Sequence, residues 1–293
     1  MPSFDAVFGF LYQFGDACAF LVLCAAGLAI IFGMMGIINM AHGELIMLGA
    51  YSTIFARNAG VPLPLAIIVG AVAVGIFGVF LERTVIRYLY RRPLDSIVAT
   101  LGLSFILSQG MLIIFGPSIQ GDTEPLGNFS IGPSSYSIYQ ILLAIISLAL
   151  LAALYWLFTA TEYGLQARAT MQNAEVARSL GVDVDRIYMI TFGIGSALAG
   201  LTGGLYESMM TTVPMLGSAF IVQAFITVVV GGSNIILGTL LSAGILGWVS
   251  AILSLYFGTF VGLMGLLVAT VVIIRLLPQG ISGLIASRLI REK

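Results

Sequence analysis

Asn39, His42 and Glu44 fall within six residues of an otherwise apolar stretch, Gly27 to Tyr51, which reads GLAIIFGMMGIINMAHGELIMLGAY. His42 is the chain's only histidine. A carboxamide, an imidazole and a carboxylate this close can do two kinds of hydrogen-bonding work at membrane depth. They can cap two half-helices and satisfy freed backbone groups, or they can meet a polar solute. A charge at a helix centre in lipid costs about 2.5–3.5 kcal/mol, so Glu44 needs a partner or an interfacial position. Thr100, Ser104 and Gln109 would add hydrogen-bonding groups if they face the same path.

Positioning these groups takes broken helix. Gly33, Gly36, Gly43 and Gly49 interrupt the stretch, which predicts two helical pieces joined by a broken or re-entrant segment near Asn39 to Glu44. Backbone that leaves a helix at membrane depth must be buried in protein or line a watery cavity, and such breaks form substrate sites in transporters.

The surrounding composition is that of a polytopic membrane protein. The 293 residues are 59% hydrophobic and 9% charged, with 35 glycines; soluble domains carry about 25% charged residues. Net charge is -1, and every basic residue is Arg except Lys293, so no basic surface for nucleic acid is implied. Cys18 and Cys24, six apart in the first apolar segment, read as small core residues. Met1 to Asp16 has acidic residues and no basic n-region, so no cleavable signal is expected.

Charge-free runs mark the spans. They predict helices at 16–33, 44–57, 64–88, 94–115, 139–159, 187–210, 218–230, 235–257 and 259–277, of which two are short, giving about eight transmembrane helices in a single all-α membrane domain, 1–293. Arginines crowd 83–92, 168–186 and 275–291, which puts these segments and the C-terminus in the cytoplasm. The 117–136 loop holds Asp122 and Glu124 and no basic residue, so it is external. Small residues such as Gly195, Ala199, Gly200, Gly203 and Gly204, and Gly258, Gly262 and Gly265, are expected at helix contacts.

The cytoplasmic loop 162–186 holds seven charged residues, yet Val176 and Leu180 fall at i,i+4 beside Ala177, with Gly181 following. This pattern predicts a short amphipathic helix at 173–180 with Gly181 as its C-cap, and Asp183 or Asp185 capping the next span. Such an element either fits a groove on a partner or folds back on its own bundle.

Enzyme chemistry finds little support. The only lysine is Lys293, so no Walker A loop exists and ATP hydrolysis would fall to another chain. One His, two apolar-segment cysteines and scattered carboxylates offer no metal-ligand spacing. No cofactor is expected on this chain.

Gly27 to Tyr51 closely resembles the opening motif of permeases that serve branched-chain amino-acid and urea ABC importers. The loop resembles that family's coupling signature, with Gly164, Arg168, Ala169, Ala177, Leu180, Gly181 and Arg186 matching. The resemblance implies a non-catalytic permease of the bacterial inner membrane, embedded in lipid. Its implied partners are a second homologous permease, two ATP-binding subunits that use the ATP, and a periplasmic substrate-binding protein. The expected pathway residues are Asn39, His42, Glu44, Thr100, Ser104 and Gln109. The expected ATPase-coupling residues are Gly164, Arg168, Glu175, Val176, Ala177, Arg178, Leu180 and Gly181. RRPLDSIVATLG at 91–102 and RATMQN at 168–173 resemble urea permeases more than amino-acid ones, and no Arg or Lys lies at a span centre, so urea or a short amide is expected ahead of branched-chain amino acids. The rival readings are a passive channel for small neutral solutes and an ion-coupled carrier using Glu44 and Glu207.

Overall fold

A computed structural model describes residues 4–90, 92–119, 121, 126–132, 134–232, 234–278 and 280–283. Arg91, Asp122, Glu124 and the basic C-terminal residues, on which part of the orientation argument stands, lie outside them. The described chain is a polytopic helical membrane protein. Seven of its described helices are long and apolar enough to cross a membrane, and an eighth, Leu216–Gly231, is shorter and equally apolar.

In chain order the helices are α1 (Phe4–Met35), α2 (His42–Asn58), α3 (Leu63–Thr84), α4 (Pro93–Phe115), α5 (Ile138–Ala160), α6 (Glu162–Gln172), α7 (Ala174–Ser179), α8 (Val184–Tyr206), α9 (Leu216–Gly231), α10 (Ile235–Phe257) and α11 (Thr259–Leu276). A hairpin of β1 (Asn128–Ile131) and β2 (Ser134–Ser137) precedes α5. The chain divides into two compact units, with α1, α5 and α9 contributing to both.

The first unit comprises residues 1–25, 124–152 and 223–293. Leu21, Val22, Leu151, Val230, Ala243, Leu246 and Leu266 are its buried core. α10 and α11 pack together around the Gly258 turn, whose φ of +88° ends one helix and starts the next. Gly258 therefore makes a corner, not the helix contact its spacing suggested. Tyr12 on α1 seats the hairpin: its hydroxyl accepts from Ser137 N at 2.8 Å, and its ring lies 4.8 Å from that of Tyr136.

The second unit comprises residues 26–123 and 153–222. Its centre is α2 packed against α3 and α8. In lipid there is no hydrophobic force between helices, so dispersion between close backbones must supply the packing. Gly49 of α2 and Gly200 of α8 meet so closely that a Cβ on Gly49 would fall 2.2 Å from the Gly200 carbonyl oxygen. Thr53, fully buried, donates to the Gly49 carbonyl at 2.9 Å and keeps its hydroxyl satisfied without a partner helix.

Several boundaries differ from the charge pattern: α3 ends at Thr84, four residues early, and α8 runs Val184–Tyr206 where 187–210 was expected. α1 starts well before Asp16 and places that carboxylate inside the helix. The break after α1 spans residues 36–41, beginning earlier than the expected turn: Gly36, at φ +64°, ends α1, while Gly43 lies within α2.

Candidate functional site

The 36–41 segment is irregular backbone with little water around it, so its polar groups must be paired locally. Asn39 does the first part: its Oδ1 accepts from Ala41 N at 3.1 Å, an Asx turn that leads into α2. α4 does the second. Thr100 Oγ1 accepts from Met40 N at 3.0 Å and donates to Ser96 O at 2.6 Å, so its donor and acceptor are both used. One turn further along α4, Ser104 Oγ donates to Glu44 Oε1 at 2.9 Å. The i,i+4 spacing of Thr100 and Ser104 puts both on the α4 face that covers the break.

Glu44 sits in the first turn of α2, where the helix dipole favours a negative charge. It is 5% exposed. Its other oxygen, Oε2, is buried without a hydrogen bond among the described residues, as is Asn39 Nδ2. Gly217 of α9 abuts this carboxylate, since a Cβ there would lie 2.7 Å from Oε2 and 2.5 Å from the Gly43 carbonyl carbon. His42 opens α2, fully buried, with its Cε1 against Gly27 of α1.

A second buried carboxylate, Glu207, follows α8. Gly121 covers it, Ser208 hydrogen-bonds Oε1 at 3.3 Å, and the Arg57 cation acts on it electrostatically.

The other candidate surface is the connection from α5 to α8. Thr161 caps α6 by accepting from Gly164 N at 3.1 Å. Gly164 is pressed against the last turn of α5, where a Cβ would fall 2.4 Å from the carbonyl oxygens of Leu157 and Phe158. Arg168 donates to Phe158 O, placing a cation at the negative end of α5. Asn173 then caps α7, accepting from Glu175 N at 3.0 Å and Val176 N at 3.1 Å. Gly181, at φ +90°, terminates the turn, and Asp183 caps α8 by accepting from Arg186 N at 3.1 Å. Arg178 pairs with Asp185 at 2.9 Å, linking α7 to the first turn of α8. On this rigid mount Ala177 faces inward at 1% exposure, while Val176 and Leu180 project outward at 53% and 79%.

Near α7, a cavity of about 690 Å³ is lined by Glu82, Arg83, Arg87, Asp183, Asp185, Arg186 and Met189. At the edge of this region the Tyr90 hydroxyl donates to Glu82, and its ring meets that of Tyr188 at 4.9 Å. Burial, and then the neighbouring Glu82 carboxylate, push the Tyr90 phenol above its ordinary pKa.

A family model described as the branched-chain amino acid transport system / permease component matches residues 12–277. The chain belongs to that family. The probable branched-chain amino acid transport permease protein LivH of Methanocaldococcus jannaschii is 28% identical over 289 residues, covering 90% of this chain and 88% of that protein. The high-affinity branched-chain amino acid transport system permease protein LivH of Escherichia coli K12 is 26% identical over 278 residues, covering 89% and 90%. BraD, the corresponding permease protein of Pseudomonas aeruginosa, is 28% identical over 242 residues, covering 77% and 79%. No solved structure matches the chain.

In this permease component Asn39, Glu44, Thr100 and Ser104 make separate hydrogen bonds around one break, and His42 lies in the same buried region. Gln109 does not join it. At 100° per residue it sits about 140° around α4 from Ser104, and it is exposed on another face. Of the expected coupling residues, Val176 and Leu180 are exposed side by side, while Gly164, Arg168, Ala177 and Gly181 hold the element in place. α6 was not foreseen, because its polar sequence lacks an apolar stripe, and neither was Gly217, whose closeness to Glu44 arises only through packing.

Proposed function

We propose that the chain is the permease subunit of an ATP-driven importer of branched-chain amino acids in the bacterial inner membrane. Family membership over residues 12–277 carries the transport role, and the fixed presentation of Val176 and Leu180 carries the docking role. The partners in this reading are a second homologous permease, two ATP-binding subunits seated on α7, and a periplasmic binding protein that delivers the solute. ATP chemistry belongs to the partners; this chain contributes path and linkage. A push on α7 passes through the Arg178–Asp185 pair to α8. Because α8 packs on α2 by direct backbone contact, the displacement reaches the Glu44 end of α2 and, through Ser104, α4.

Branched-chain amino acids come ahead of urea, reversing the expectation from the 91–102 and 168–173 motifs. Three relatives that span most of the chain are named for branched-chain amino acids, whereas the described residues of those motifs lie mostly on α4 and α6 and include residues with purely local roles, such as Arg168. Urea is the second reading, favoured by one observation: no lysine or arginine accompanies Asn39, Glu44, Thr100 and Ser104 to receive a carboxylate.

The test is uptake by the complex reconstituted with its own binding protein, comparing labelled leucine with labelled urea. Saturable, ATP-dependent leucine uptake is expected. Urea uptake without leucine uptake would replace the substrate, and uptake of either that ignores ATP would end the importer reading.

A further inference from the structure

The first unit encloses a cavity of about 430 Å³ between α1, α5, α9, α10 and α11, at the end of α1 that carries the hairpin. Its volume lies within the roughly 300–1,000 Å³ of small-molecule sites. Its lining interleaves polar side chains, among them Tyr12, Gln13, Asp16, Gln140, Gln223 and Ser254, with apolar ones, Phe20, Leu21, Ala251 and Leu263. No lysine, arginine or histidine lines it.

The polar part of the lining is rich in acceptors. Asp16 makes no hydrogen bond or ion pair with any described residue, although an ionisable side chain inside a span ordinarily has a partner or a function. Gln13 Oε1 and Gln223 Oε1 are buried and likewise without hydrogen bonds among the described residues. Two of these side chains are fixed in place, since Tyr12 is held by Ser137 N and hydrogen-bonds Gln140. A lone carboxylate with two unpaired carbonyl oxygens suits a group that is cationic and has several donors, which a primary ammonium is. The apolar side chains Phe20, Leu21, Ala251 and Leu263 suit a short branched hydrocarbon.

We infer that this cavity binds short aliphatic primary amines through their ammonium group, the α-ammonium end of an aliphatic amino acid included. The inference rests on the importer reading only in counting an amino acid among the ligands; amine binding by the chain alone does not depend on transport.

The experiment is calorimetric titration of the purified full chain in lipid nanodiscs with 3-methylbutylamine, with 3-methylbutanoate, and with L-leucine as a competitor. The amine is expected to bind saturably, the carboxylate not to bind, and leucine to displace the amine. Asp16→Asn should weaken the amine by about tenfold or more, as loss of a charge-assisted contact requires, with an unchanged melting temperature. Asp16→Glu should retain binding, and Gln223→Leu should weaken it. Absence of amine binding by the folded wild-type chain, equal affinity for the carboxylate, or an unaffected Asp16→Asn variant would overturn the assignment. Leucine that fails to displace the amine would remove the amino acid from it. If amine binding persists while the assembled importer takes up no leucine, the importer's substrate is wrong and this site stands.

Discussion

Ser104 Oγ reaches Glu44 Oε1 at 2.9 Å and so fastens α4 to the first turn of α2, across the break that the whole polar cluster surrounds. Leaving a buried charged acceptor without its donor costs about 1–3 kcal/mol. Ser104→Ala should therefore lower the melting temperature of the purified chain. Glu44→Ala, which removes the acceptor, should lower it too, and the double variant should fall short of the sum by about 1 kcal/mol, the signature of contacting residues. Additive losses would mean that the contact does not contribute to stability.

Gly49→Ala should destabilise the chain by about 1–3 kcal/mol, the usual cost of overpacking. Its new methyl would meet the Gly200 carbonyl at 2.2 Å, and backbone cannot rotate away as a side chain can. Gly102→Ala, on α4 with nothing within 4 Å, is the control and should melt like wild type. Equal behaviour of the two variants in detergent melting curves would contradict the packing described for α2 and α8.

Leu180→Asp should abolish the coupling of ATP turnover to uptake in the assembled importer while leaving the melting temperature of the isolated chain unchanged, since the side chain is 79% exposed. Ala177→Asp, one turn away on the inward face, should instead reduce folded yield, because it buries a charge without a partner. Full substrate-stimulated turnover in Leu180→Asp would argue against docking on α7.

Tyr90 gives a pH dependence with a definite sign. Its phenol loses a proton less readily in the folded chain than in the unfolded one, so the folded state holds the proton more tightly. The resulting stability is present below the ordinary tyrosine value of about 10 and declines as pH rises past it. Melting temperature measured across that range should fall more steeply in wild type than in Tyr90→Phe. At neutral pH the variant should already melt lower, because buried Glu82 has lost its donor.

Charge-free runs locate α4, α5 and α10 well because nothing polar interrupts their interiors strongly enough to shift their ends. The same criterion fails at α1, where Asp16 sits inside the helix because a cavity there receives it. It also fails at α6, which is helical through its Thr161 cap and its anchorage on α5 and not through an apolar stripe. The Asn39–Glu44 cluster was readable from polar residues out of place in an apolar stretch. Its neighbours on α4 were only partly readable: Thr100 and Ser104 share a face, while Gln109 has the right chemistry at the wrong angle. Gly217 carries no local signal, since a glycine's value there depends on which carboxylate the fold brings beside it.

Leu180 and Val176 stand in water on a short helix whose own caps are already satisfied, so the chain cannot hide them by local rearrangement. Their exposure makes the permease conspicuous whenever it is made in excess of its cytoplasmic partners. Holdases and proteases select exposed aliphatic side chains of this kind, and occupancy by the ATP-binding subunits would screen them. In the proposed importer, subunit stoichiometry would then set the cellular abundance of this chain, with unassembled copies expected to be removed before they accumulate in the membrane.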